Sequence, residues 1–255
     1  MKMRWVVAIL ALLMLSVPVP SVVQAGYPEA IERARPAVVG VGTLQPTRRP
    51  PALFRGTGFV VGDGRTVLTN VHVLPESLNE RKRETLVVFS GRGADSRMHA
   101  ARVLARDPDH DVAVLAIEGG PLPVLPLGDS ERVREGDLFL ITGFPIGTVL
   151  GLFPVTHRAM VSAISPIAIP AGSARQLNGR RLKQLRDPFP VFQLDAVAYP
   201  GNSGSPLYDP ETGRVVGILN MVFVKESKEN ILSRPSGIAY AIPIRHARRL
   251  LEGLR

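Results

Sequence analysis

The sequence predicts an all-β fold: two six-stranded antiparallel β-barrels in tandem, with a short helix before the first and another after the second. Three observations carry this. Twelve short apolar segments, rich in Val and Ile, follow one another without helical periodicity. Gly, Pro, Asp and Asn interrupt them, and 24 glycines with 23 prolines imply many turns. The segments divide six and six about the proline-rich break PLPVLPLGDSERVREG at 121–136.

Residues 1–25 differ from the rest. Lys2 and Arg4 precede an apolar run at 5–17 whose only polar break is Ser16, and Pro18, Pro20 and the small-residue sequence VQA at 23–25 follow. This is a secretory signal pattern with cleavage after Ala25, and the run is short for a membrane-spanning helix. The mature chain is therefore expected in the periplasm or outside the cell. No other segment is long and apolar enough to span, so no membrane contact is expected beyond the signal segment.

YPEAIERARP at 27–36 predicts the first helix, with Pro28 in its first turn and Pro36 ending it. The first barrel, within residues 26–125, draws on VVGV from Val38, GFVV from Gly58, TVLT from Thr66, LVVF from Leu86, ARVL from Ala101 and DVAVLAI from Asp111. The second, within 126–255, draws on LFLIT from Leu138, AMVSAI from Ala159, VFQLD from Val191, SPLY from Ser205, VVGIL from Val215 and IAYAI from Ile238. At the end, Ile244, Ala247, Leu250, Leu251 and Leu254 fall at helical spacing, which predicts a helix packed on the second barrel. The polar or proline-rich stretches 45–55, 75–84, 165–190 and 224–236 read as surface loops, of the length that often rims a site.

Composition excludes several chemistries. There is no cysteine, so disulfides, thiol catalysis and cysteine metal sites are absent, and a chain of 255 residues can bury a core without them. No metal or cofactor is expected. Removing Lys2 and Arg4 with the signal takes the formal charge from +9 to +7, which favours acidic surfaces in general. Aromatic residues do not interleave with the basic ones, so no specific nucleic-acid partner is expected.

The stretch YPGNSGSP at 199–206 presents Ser203 on a loop that is either a nucleophile's seat or a plain polar turn. A serine hydroxyl needs a base to take its proton, and the base needs an orienting acid. Of the five histidines, His72 stands in VLTNVHV directly after a strand; His110 lies between Asp109 and Asp111; His246 is on the terminal helix; His99 and His157 sit in strand-edge or loop settings with no acidic or small-residue pattern near them. Asp111 opens an apolar strand, while Asp107 and Asp109 look like its turn. Each residue alone also fits a structural role. Together, His72, Asp111 and Ser203 follow the chain order of a chymotrypsin-type triad, divided between two barrels whose cleft would unite them.

The sequence resembles the trypsin-like serine peptidases of the HtrA/Deg type. TNVHV at 69–73 is similar to that family's T-N-x-H-V, DHDVAVL at 109–115 to its D-h-A-h-L strand, and FQLDA from Phe192 with PGNSGSPL from Pro200 to its Q-T-D-A…G-N-S-G-G-P-L. GTGFV from Gly56, VSAI from Val161, GIAYAIP from Gly237 and AIERARPAVV from Ala30 also match, so the resemblance runs from about residue 29 to 250. It implies a chymotrypsin fold and an exported serine endopeptidase acting on unfolded or extended polypeptides through an acyl-enzyme. His72 would be the general base, Asp111 its orienter and Ser203 the nucleophile. The N–H groups of Gly201 and Ser203 would form the oxyanion hole, with Asn202 shaping the loop. Val197 would floor the primary pocket, with Gly237 and Ile238 on one wall and Leu219, Asn220 and Met221 on the other, the last three also pairing with the substrate backbone. With no carboxylate at 197, cleavage after small or medium aliphatic residues is expected.

The resemblance also implies a homotrimer, the family commonly assembling through its N-terminal part. The chain reaches Arg255 straight after the terminal helix, so a protease domain without a PDZ domain is expected, regulated through its own loops, 165–190 foremost with Arg175, Arg180, Arg181, Lys183 and Arg186. Two departures from the pattern touch the nucleophile loop. Ser205 replaces the family's second glycine, and Tyr199–Pro200 precede Gly201, where Pro200 lacks an N–H and restricts Tyr199. The competing readings are an inactive, chaperone-like peptide-binding module on the same fold and a polyanion-binding surface protein.

Overall fold

In a computed structural model that describes residues 26–145, 151–166, 188–197, 199–220 and 237–254, twelve strands close into two barrels. The first comprises β1 (Val38–Leu44), β2 (Ala52–Val61), β3 (Thr66–Thr69), β4 (Thr85–Ser90), β5 (Arg97–Asp107) and β6 (Val112–Ile117). The second comprises β7 (Leu138–Gly143), β8 (Val155–Pro166), β9 (Pro190–Asp195), β10 (Pro206–Tyr208), β11 (Val215–Asn220) and β12 (Ile238–Pro243). The orders are β1-β2-β3-β6-β5-β4 and β10-β11-β12-β9-β8-β7. Read from its first strand, the second barrel repeats the topology of the first. The signal segment, most of loop 165–190, loop 224–236 and Met221 lie outside the described residues.

Each predicted apolar segment lies in or overlaps one strand. β2, β5 and β8 start well before their apolar cores, at Ala52, Arg97 and Val155. β2 begins at Ala52, inside the stretch read as a loop, because Leu53 and Phe54 pair with Thr43 and Gly42 past a register shift at Val41/Gly42. β5 and β8 extend the same way, through half-exposed alternation that leaves no continuous apolar run to read.

The apolar residues make three layers. Val39, Val41, Val60, Val67, Val88 and Leu115 fill the first barrel. Ile141, Val161, Phe192, Leu194, Leu207 and Leu219 fill the second. Phe59, Leu68, Val114, Tyr208, Ile218 and Ile242 meet between them. β6 shows why its sequence lacks polar alternation. Successive side chains on a strand face opposite ways; here Ala113, Leu115 and Ile117 enter the barrel while Val112 and Val114 enter the inter-barrel layer. Burying each such Val, Leu or Ile contributes roughly 1.5–3 kcal/mol, so the docking of the barrels is part of the core.

Both helices seat on that middle layer. α1 (Tyr27–Ala34) has Pro28 in its first turn and buries Ala30 and Ala34 there. α2 (Arg245–Glu252) buries Ala247 beside Ile244. The expected contact with the second barrel is one part of its seat. The helix touches β5 and β6 of the first barrel as well as β12, because the stripe from Ile244 to Leu251 meets the layer both barrels share. No helix among the described residues is long and apolar enough to cross a membrane.

Candidate active site

The pairing of β3 with β6, Thr69 opposite Ala113, brings the end of one strand beside the start of the other. After Thr69 the chain turns through the 3-10 segment Val71–Val73, which carries His72. Asp111 precedes β6 with φ +54°, a left-handed conformation that aspartate accepts more readily than most residues. Its carbonyl receives Asn70 Nδ2 at 2.9 Å and Val71 N–H at 3.3 Å. Asn70, wholly buried, thus locks the aspartate's backbone to the turn that bears the histidine.

The Asp111 carboxylate is held at both oxygens. Oδ1 accepts the backbone N–H of His72 at 2.9 Å, and Oδ2 lies 2.6 Å from His72 Nδ1. Oδ2 also accepts Asn220 Nδ2 at 2.7 Å, from β11 of the other barrel. An ionised carboxylate only accepts, so Nδ1 carries the hydrogen and Nε2 of the neutral ring is left as an acceptor. The Asp111 side chain is 8% exposed and that of His72 28%: the acid is shielded while the imidazole edge is open.

The Ser203 loop is two successive turns. Asn202 N–H bonds Tyr199 C=O at 3.0 Å, with Pro200 and then Gly201 (φ +101°) at the corners. Ser205 N–H bonds Asn202 C=O at 3.0 Å, with Ser203 and then Gly204 (φ +89°) at the corners. Both have the type II signature, in which the third residue needs positive φ and glycine supplies it. Gly204 N–H donates to Leu219 C=O and Leu219 N–H to Ser205 C=O, both at 2.9 Å, seating the loop on β11. From the first barrel, Thr57 N–H donates to Ser203 C=O at 2.8 Å. Ser203 is buried, as are Asn202 and Ser205 beside it in the chain.

The expected site residues divide. His72 and Asp111 are joined directly, and Ser203, Gly201 and Asn202 share one loop tied to β2. No hydrogen bond joins the His72 ring to Ser203 among the described residues. Val197 is half-buried just past β9, and Ile238, 43% exposed, pairs with Asp195 two residues before it, with Gly237 adjacent. Leu219 and Asn220 were assigned to the opposite pocket wall, and their side chains go elsewhere. Leu219 fills the second barrel and spends its N–H on Ser205, while Asn220 is wholly buried against Asp111. Met221 lies outside the described residues.

Thr57 and Asp107 are site members that the sequence does not mark, and Asn220, expected at the pocket wall, meets Asp111 instead. Asn220 and Thr57 act across the barrel boundary, which local sequence pattern does not report. Asp107 was read only as turn. Its Oδ1 accepts His110 N–H at 3.2 Å and its Oδ2 lies 2.6 Å from His110 Nδ1. The His110 ring stacks on His246 of α2 at 3.8 Å between centroids, with Phe189 edge-on to both. Burial, and then the neighbouring His110, Arg245 and Arg249, push the His246 pKa down from 6.5 to about 3, against the pull of Asp107. The turn that delivers Asp111 is thereby packed against the terminal helix.

The sequence profile of the trypsin-like peptidase domain matches residues 56–218, from within β2 to within β11, a range that includes the His72 turn and the Ser203 loop. The chain belongs to the trypsin-like peptidase family. It is similar to a probable periplasmic serine endoprotease, DegP-like, of Pseudomonas putida (strain GB-1), at 29% identity over 257 aligned positions covering 86% of this chain and 46% of that one. A DegP-like protein of Chlamydia muridarum is 30% identical over 210 positions, 82% of this chain and 35% of that. The chain thus spans less than half the length of these curated relatives. Among solved structures it resembles the HtrA-type protease AlgW with tripeptide (TM-score 0.65, 28% identity, 90% of this chain and 63% of that one). It also resembles the serine endoprotease from Yersinia pestis (TM-score 0.61, 27% identity, 90% and 66%). The trypsin-like peptidase fold is therefore common to this chain and these HtrA-type proteases.

Proposed function

We propose that this trypsin-like peptidase is an exported serine endopeptidase that hydrolyses unfolded or extended polypeptides through an acyl-enzyme. The observation that carries the reading is the grip of Asp111 on His72 through both carboxylate oxygens, at 2.9 and 2.6 Å. It holds the ring in one orientation and leaves Nε2 unprotonated, as a general base for a serine requires.

In the proposed reaction Ser203 Oγ attacks the scissile carbonyl while His72 Nε2 takes its proton. The developing oxyanion is received by the N–H groups of Gly201 and Ser203, neither of which donates to another described residue. His72 then protonates the leaving amine, and water, activated by the same nitrogen, releases the acid. Asp111 stays ionised throughout and stabilises the imidazolium. Each oxyanion donor is worth about 3–4 kcal/mol of transition-state stabilisation.

Val197, with Gly237 and Ile238 beside it, forms the primary pocket in this reading. It has no carboxylate, so cleavage falls after small or medium aliphatic residues. The printed names of the DegP-like relatives, periplasmic serine endoproteases, support export, and residues 1–25 supply the signal with cleavage after Ala25. Assembly as a homotrimer remains part of the proposal.

A second reading, a peptide-binding module without hydrolysis, is favoured by one observation: no hydrogen bond joins His72 and Ser203 among the described residues. Such bonds are often long without substrate and tighten in the Michaelis complex, so catalysis is the better reading. The test is digestion of unfolded casein by the mature protein, with Ser203→Ala in parallel and the cut sites mapped. Cleavage after Ala, Val or Leu that disappears in the variant is expected. A profile dominated by Arg or Lys overturns the pocket. No cleavage by the wild type favours the binding module.

A further inference from the structure

We propose that Thr57, on β2 of the first barrel, is a positioning residue that sets the oxyanion loop of the second. This rests on the reading of Gly201 and Ser203 as oxyanion donors. Thr57 is wholly buried and all of its polar groups are engaged. Its N–H donates to Ser203 C=O at 2.8 Å, and its C=O accepts Thr69 Oγ1 at 2.7 Å. Its hydroxyl lies 2.7 Å from Gly201 C=O and 3.1 Å from Phe144 N.

The direction of the hydroxyl's bonds follows from chemistry. A hydroxyl has one hydrogen to give. Phe144 N–H can only donate and Gly201 C=O can only accept, so the hydroxyl accepts from Phe144 and donates to Gly201. Phe144 directly follows β7. Thr57 therefore links the rim of the second barrel to the nucleophile loop through one oxygen, from a strand of the first barrel.

The geometry shows what this link holds. The Gly201–Asn202 peptide is pinned at both ends, its C=O by Thr57 Oγ1 and its N–H by Tyr199 C=O. The next peptide has its Asn202 C=O held by Ser205 N–H, and the one after has its Ser203 C=O held by Thr57 N–H. Three successive carbonyls are thus fixed, two of them by Thr57. The N–H of Ser203 belongs to the middle peptide, and the N–H of Gly201 precedes the first. Glycine at 201 has the φ freedom to let this peptide rotate, and no side chain of its own to stop it. Nor is the loop locked from below: the side-chain amide of Asn202 and the Ser205 hydroxyl are buried without partners among the described residues. Thr57 Oγ1 is the side-chain group holding the Gly201 carbonyl.

Thr57→Val keeps the shape and the backbone N–H bond to Ser203 and deletes only the hydroxyl. Relative to wild type, kcat on a peptide substrate is expected to fall about 10- to 100-fold, less than outright loss of an oxyanion donor, which costs about 10²–10³-fold. KM should change little. Affinity for a peptide boronate, which forms a tetrahedral adduct, should fall with kcat, a split that mere loosening of the fold would not produce. Thr57→Ser should restore kcat to within a few-fold. If Thr57→Val does not fold, Thr57→Cys, which differs from the Ser variant only in its weakly donating thiol, is measured in the same way. Unchanged kcat and boronate affinity in a folded Val or Cys variant overturn the proposal, as does a Ser variant no better than Val. A wild type that neither cleaves nor binds the boronate contradicts the peptidase reading itself, a result distinct from either.

Discussion

Asn220 Nδ2 lies 2.7 Å from Asp111 Oδ2, the oxygen that also faces His72 Nδ1. The two residues are 109 positions apart, on different barrels, so the His72–Asp111 pair is oriented partly by the docking of one barrel on the other. Asn220→Leu keeps the volume and removes the donor beside a shielded carboxylate. A hydrogen bond to a charged group is worth about 1.5–3 kcal/mol, which predicts a fall of about tenfold or more in kcat/KM on a peptide substrate, with a lower melting temperature. Unaltered kcat/KM would remove Asn220 from the site.

Acid should loosen the seat of α2. In the unfolded chain His246 titrates near 6.5, and in the fold near 3, because burial and the neighbouring His110, Arg245 and Arg249 oppose its charge while Asp107 favours it. Between these values the unfolded state binds the proton and the folded state does not. The contribution is therefore complete above about pH 6.5 and is lost as pH falls toward 3. Urea midpoints measured across this window should fall less steeply for His246→Phe than for wild type. Parallel curves would contradict the assignment.

Gly204 separates steric collision from backbone strain. It has φ +89°, and a Cβ there would collide with the carbonyl oxygen of Thr57 and lie 2.6 Å from Thr69 Oγ1. Gly213 has φ +69° with nothing within 4 Å of an added Cβ. Positive φ alone costs an alanine roughly 1–2 kcal/mol, and overpacking adds roughly 1–3. In urea melts Gly213→Ala should lose about 1 kcal/mol and Gly204→Ala clearly more. Equal losses would mean that the loop moves away from Thr57 at little cost.

The strands were legible because both barrels bury apolar runs bounded by turn residues; VAVLAI at 112–117 is apolar throughout because β6 has a core on each side. The start of β2 was not legible, since Leu53 and Arg55 face water while Ala52 and Phe54 are only partly covered, and Pro50 and Pro51 suggested a loop. His72, Asp111 and Ser203 stood out through local motifs in a recognisable order. Asn220 and Thr57 did not, because what they do depends on contacts 109 and 144 residues away, and a buried Asn or Thr in a strand looks the same whether or not it reaches the other barrel. The side-chain directions of Leu219 and Asn220 were not legible either: strand position places both residues, while Leu219 turns into its own barrel and Asn220 toward Asp111 of the other.

The central claim, that Ser203 is a nucleophile activated by His72, is tested most directly by a fluorophosphonate probe and intact-mass measurement of the mature protein. The account predicts a single adduct, mapped by peptide fragmentation to Ser203 and absent from Ser203→Ala. Labelling should be slowed in His72→Ala nearly to the level of the serine variant, because the residues act as a unit. Labelling of folded wild type at another residue, or labelling of Ser203 at the same rate without His72, would contradict it.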